Sequence, residues 1–145
     1  MQLRTAALSH SADTRLAGIA AKAIKETRYH FRFSSGWLVR LGDGTQESQR
    51  RVQEALNELW RFTAELFAAD EVDRELAQAG IVPELAELQG RWSARIDEVL
   101  QEATLVRPPE VPYSWHGKRG VHTEHLGRML AEMQHLQRTY PGAKW

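Results

Sequence analysis

Apolar residues return at steps of three and four almost everywhere along this chain, and no stretch alternates in the two-residue rhythm of a strand. The pattern predicts a long first helix from about Asp13 to Leu41, with the stripe Leu16, Ile19, Ala23, His30, Phe33, Trp37 and Leu41, stopped by Gly42-Asp43-Gly44. Asp43 or Thr45 is placed to cap a second helix over about Gln46 to Ala69, burying Val52, Leu56, Leu59, Phe62, Leu66 and Phe67, with Trp60 at the edge. Asp70 offers the cap of a short helix with Val72 and Leu76 that Gly80 ends. Pro83 suits a first helical position, and Leu85, Leu88, Trp92, Ile96 and Val99 mark one face up to about Glu102. The three prolines and two glycines of "VRPPEVPYSWHGKRG" predict an extended crossing over 103–121. Thr123 can then cap a last helix within 122–140, striped by Leu126, Met129, Leu130, Met133, Leu136 and Tyr140. The expectation is a single all-α domain over residues 1–145.

The first helix is apolar over more of its girth than a surface helix needs. At about 100° per residue, Phe33 and Ile19 bound one side of the arc. Ala20, Ile24, Phe31 and Leu38 bound the other. Such a helix wants neighbours on two sides. Residues 1–9, with Leu3, Ala6, Ala7 and Leu8, read as the tail of one earlier helix and are too few to supply both. The chain is therefore expected to pack on another subunit or to lack upstream helices.

Composition narrows the function more by exclusion than by indication. The 145 residues carry 19 basic and 19 acidic side chains, so net charge gives no footprint for nucleic acid. Cysteine is absent, which removes disulfides and thiolate metal sites. There is no signal-peptide core and no apolar run long enough for a membrane span, so a cytoplasmic protein is expected.

Three clusters could carry chemistry. Glu26 and His30, in "KETRYHFRF", stand one turn apart, but bundle metal sites use Glu-x-x-His, and Tyr29 holds the third place after Glu26. A Glu–His hydrogen bond, or Glu26 paired with an arginine such as Arg28, is the plainer reading. "EMQH" has the right spacing at Glu132 and His135, yet both project to the polar side of the last helix. "HGKRGVHTEH" gathers His116, Lys118, Arg119, His122, Glu124 and His125 before that helix, a place where a metal or an anion could sit. An ordinary surface loop explains it equally. Tyr113 and Trp115 suit a protein interface, as do Lys118, Arg119, His122 and His125.

Taken together, "AAKAIKETRYHFRFSSGWLVRLGDGT", "LWRFTAELF", "EATL", "HTEHLGRMLAEMQHLQR" and "YPGAKW" resemble the C subunits of bacterial ring-1,2-phenylacetyl-CoA epoxidases, from about residue 12 onward. The resemblance implies a ferritin-like helical bundle, here apparently without its N-terminal helices. It implies a non-catalytic structural subunit of the phenylacetate-degrading monooxygenase, supporting a catalytic A subunit that holds a di-iron centre. Electrons from NADPH would come through a reductase carrying flavin and an iron–sulfur cluster. No catalytic residue and no cofactor is expected in this chain, and Glu26, Tyr29 and His30 read as degenerate ligand positions. The expected partners are the A subunit and the other epoxidase subunits, with self-association as an alternative. Rival readings are a helical oxygenase with its own metal, or a truncated helical adaptor.

Overall fold

The computed structural model describes residues 1–110 and 117–144. These residues are helical with no strand among them, and the chain divides into two compact units, 1–112 and 113–145. The boundary falls inside the Pro/Gly-rich segment. In the first unit, α1 (Gln2–Leu8) leads into α2 (Thr14–Gly42), then α3 (Gln46–Trp60), a 3-10 turn (Thr63–Phe67), α4 (Glu71–Gln78) and α5 (Leu85–Glu102). The second holds a 3-10 turn (Gly117–Arg119), α6 (Glu124–Met133) and α7 (His135–Thr139).

The helix starts follow from short polar side chains that meet orphan amides. Asp13 Oδ1 accepts from the Arg15 and Leu16 N–H groups at 2.9 and 3.0 Å. Thr45 and Ser48 form a reciprocal capping box on α3, as do Asp70 and Asp73 on α4. Gly80 closes α4 at φ 69°, where the Ile81 N–H reaches back to the Leu76 carbonyl. The same corner is tied to the α1–α2 turn, because Ala12 N–H donates to Gly80 O and Ser11 Oγ donates to Ile81 O.

Several boundaries depart from the periodic reading. The second helix stops at Trp60 rather than Ala69, and the next residues tighten into the 3-10 turn, with Thr63 Oγ1 bonded to Trp60 O at 2.8 Å. Ending there turns Trp60 inward. Instead of flanking the stripe it is 4% exposed at the centre of the core with Leu100, Ala103 and Leu105. Leu59 and Leu66, expected inside, are exposed as a consequence. Pro83 sits just before the α5 N-cap, Glu84, so it precedes the helix by two places. The last predicted helix is broken at Gln134 into α6 and α7, and Met129, Met133, Leu136 and Tyr140 of its stripe are exposed.

One joint locks the first unit. At the end of α2, Gly42 is buried against the backbone of Ala103; a Cβ there would run into the Ala103 carbonyl oxygen. Thr104, at φ 55°, donates through Oγ1 to Gly42 O at 3.0 Å. Gln49 and Gln53, one turn apart on α3, then hold the extended chain: Gln49 Nε2 bonds Thr104, and the Gln53 amide both donates to and accepts from Val106. Side-chain amides thus satisfy a backbone that has no ladder of its own. Arg107 finishes the joint. Its guanidinium lies 4.9 Å over the Trp60 ring and bonds Ser93, Asp97 and Glu110. The hydrogen bond to Asp97, offset in part by burial and reinforced by Glu110, raises its pKa above an already very basic value.

Replacing Gly42 by Ala is therefore expected to destabilise the chain by about 1–3 kcal/mol, the cost of forcing a methyl into a packed contact. Urea denaturation measures it, and an unchanged midpoint would show that the α2 end does not meet residue 103 this closely.

Candidate functional site: the open face of α2

The helix α2 is packed on one side only within the described residues. Ala20 and Thr27 are buried, and Ile24, Phe31, Leu38 and Val39 are half-buried. Arg95 of α5 lies 4.2 Å over the Phe31 ring. The other bank of the apolar arc faces outward. Ile19, Tyr29, Phe33, Trp37 and Leu41 are all exposed, Phe33 by 55%. The expected stripe is thus corrected at Ile19, His30, Phe33, Trp37 and Leu41, for a physical reason: α1, α3 and α5 all contact α2, but they cover only one bank.

On this face the rings form a ladder at helical spacing. Tyr29 stacks on Phe33 with centroids 6.1 Å apart, and Phe33 meets Trp37 edge-on at 6.4 Å. Arg32 lies over Tyr29 at 5.7 Å and Arg40 over Trp37 at 5.5 Å. The helix as a whole is basic: Arg15, Lys22, Lys25, Arg28, Arg32 and Arg40 stand against one carboxylate, Glu26. Chain-wide neutrality hid this. The spacing of Arg15, Lys22, Tyr29, Phe33 and Arg40 in steps of seven and four is the signal that marks the face.

Glu26 and His30 belong to the same open face. Their side chains are 73% and 59% exposed, and Glu26 Oε1 lies 3.8 Å from His30 Nε2. That is a loose ion-pair distance, longer than a hydrogen bond, so the expected direct bond is not made. The expected burial of His30 within the arc is absent because that bank is open. Tyr29, at the place where a Glu-x-x-His pair would put its imidazole, stacks on Phe33 and meets the His30 ring edge-on at 6.2 Å. Among the described residues no three His, Cys, Asp or Glu side chains converge as a metal would require. The described residues thus bring together no ligand set of the kind a di-iron centre takes.

The other candidates stay apart. Glu132 is exposed near the end of α6, while His135 opens α7 after the break at Gln134, so the two do not share one continuous helix. Lys118, Arg119, His122, Glu124 and His125 are exposed around the start of α6; His116, Tyr113 and Trp115 lie outside the described residues. An apolar cavity of about 400 Å³ lies between α1, the Thr63–Phe67 turn and α5, lined by Leu3, Leu8, Leu66, Phe67, Leu88 and Trp92. The nearby Arg4 side chain is engaged by the Leu66 carbonyl at 3.1 Å. No helix among the described residues is long and apolar enough to cross a membrane.

An all-helical chain with an uncovered aromatic face that carries a loose carboxylate–imidazole pair is the class these features define. The family model described as phenylacetic acid catabolic protein matches residues 1–145, and the chain belongs to that family. It is also 56% identical over 138 residues to the C subunit of the 1,2-phenylacetyl-CoA epoxidase of Escherichia coli (strain K12). That match takes in 95% of this chain and 56% of the relative, so the chain spans little more than half the relative's length. The resemblance drawn from the quoted segments is thereby shown at the level of the family, and the all-helical fold agrees with it.

The two tryptophans separate the closed and open sides of the first unit. Trp60→Ala is expected to cost about 3–5 kcal/mol. Trp37→Ala, at a ring 48% exposed, should cost less than about 1.5 kcal/mol in the isolated chain. Parallel thermal melts check this, and equal losses would place Trp37 in a core.

Proposed function

We propose that this chain is a structural, non-catalytic subunit of a phenylacetyl-CoA epoxidase, supporting the di-iron catalytic A subunit of that complex in aerobic phenylacetate degradation. The observation that carries the reading is the 56% identity to a protein named as the C subunit of the 1,2-phenylacetyl-CoA epoxidase. The state of the ligand positions supports it, since Tyr29 takes the imidazole's place and Glu26 and His30 face outward as a loose pair. In this reading the chain holds no cofactor, iron belongs to the A subunit, and flavin and an iron–sulfur cluster belong to the reductase. Its contribution is mass-action stabilisation of the partner's folded state and of the assembled geometry.

The exposed Lys118, Arg119, His122 and His125, with Tyr113 and Trp115 in the preceding segment, are the proposed contacts to other epoxidase subunits. The setting proposed is cytoplasmic.

The test is reconstitution of the complex with Glu26→Gln and His30→Phe introduced together. Turnover per assembled complex should stay within about twofold of wild type, because neither group is asked to stabilise a transition state. A loss of a hundredfold or more with assembly intact would overturn the structural reading and return Glu26 and His30 to the chemistry.

A further inference from the structure

We propose that the cavity between α1, the Thr63–Phe67 turn and α5 is a binding site for an apolar monocarboxylic acid, with Arg4 as the group that meets the carboxylate. Protein interiors are packed closely enough that voids larger than a water molecule are few. A cavity of about 400 Å³ is an exception to that rule. It falls in the range of small-molecule sites, roughly 300–1,000 Å³.

The walls are built and fixed. Leu88 is buried, and Leu3, Leu8, Phe67 and Trp92 are half-buried around the space. Phe67 and Trp92 stand as a tilted pair with centroids 5.2 Å apart, and Trp60 supports Trp92 at 5.8 Å. The wall formed by α1 is held by polar ties. Arg4 Nη2 donates to Leu66 O at 3.1 Å. Just past the helix, Ser11 Oγ donates to Ile81 O at 2.6 Å and Ala12 N–H to Gly80 O at 2.9 Å. These bonds fix α1 in place, so the cavity is formed before anything enters it.

Size and charge choose the ligand. An apolar cavity of about 150 Å³ takes benzene, so this one admits a body of roughly ten to sixteen carbons, alkyl or aryl. Among the described residues that line it, Arg4 is the one charged side chain, and no carboxylate opposes it. Thr5, the other polar side chain there, already donates through Oγ1 to Met1 O at 3.2 Å. A guanidinium carries five N–H donors, and the bond to Leu66 takes one of them. Arg4 is exposed, so it can meet a carboxylate at the mouth through charge-assisted bonds while the body packs on leucine and aromatic side chains. An uncharged head forgoes that interaction. The site is independent of the proposed structural role in the epoxidase, since neither Glu26 nor His30 lines it.

The experiment is isothermal titration calorimetry of the 145-residue chain with decanoate, with naphthylacetate, and with the alcohols of the same two skeletons. At least one acid should bind saturably and one to one, the tighter of the two showing whether the body is alkyl or aryl. Its alcohol should bind about tenfold more weakly or worse, and Arg4→Gln should weaken the acid about tenfold or more while leaving the alcohol unchanged. Leu8→Trp, which fills the cavity, should weaken acid and alcohol alike. Arg4 is exposed, so Arg4→Gln keeps the fold and carries the test even where Leu8→Trp lowers the melting temperature. Four results would each overturn the proposal: neither acid binds, the alcohol binds as tightly as its acid, binding ignores Arg4→Gln, or light scattering shows a dimer of this chain that Leu8→Trp dissolves.

Discussion

A helix that is apolar on two sides cannot be satisfied by neighbours on one. That constraint organises the molecule. The 29 residues of α2 give one bank, Ala20, Ile24, Thr27, Phe31 and Leu38, to the interior. The other bank, Ile19, Tyr29, Phe33, Trp37 and Leu41, is left to solvent. Burying aromatic area is among the largest stabilising terms available to a small fold. A face of this composition is stable in water as part of a helix held from behind, and it gains from any surface that covers it.

What holds it from behind is the joint at Gly42. Because glycine alone lets the Ala103 carbonyl approach the end of α2, the extended chain after α5 can turn under α3. There Gln49 and Gln53 take up its backbone groups. The turn sets Leu105 beside Trp60 and Leu100 and brings Arg107 over the Trp60 ring. Trp92 then bridges Trp60 and Phe67, with centroids 5.8 and 5.2 Å away. The core is thus small and aromatic, built around one close backbone contact, and it fixes α2 without covering it.

Much of this was legible in the sequence because it is local. The cap at Asp70, the stop at Gly80, the α5 face and the start of α2 depend on residues within a few positions of one another. The width of the α2 arc also signalled more apolar surface than its neighbours among the described residues cover. The errors come from tertiary choices that periodicity does not encode. Leu59, Leu66 and Phe67 continue the rhythm of α3, yet the chain leaves the helix at Trp60, and only the packing of Trp60 against Leu100 and Leu105 explains why. Which bank of α2 would be covered was equally hidden, because Phe31 and Phe33 are both aromatic and only one has Arg95 above it. The Glu26–His30 pair was placed correctly on the helix, but its exposure followed from that second choice. Equal totals of acid and base concealed a basic helix beside acidic ones. The spacing "ETRYH", with Tyr29 rather than a histidine three places after Glu26, is read directly from the sequence.

The fold described depends on α2 having one closed and one open bank. Because the chain has no cysteine, single thiols report each bank without background. The most direct measurement is the labelling rate of Thr27→Cys and of Phe33→Cys in the isolated chain, each compared with the same variant unfolded in urea. The thiol at 33 should label within a few-fold of its unfolded rate, while the thiol at 27 is protected at least a hundredfold. Strong protection at both positions in the isolated monomer would contradict the open bank.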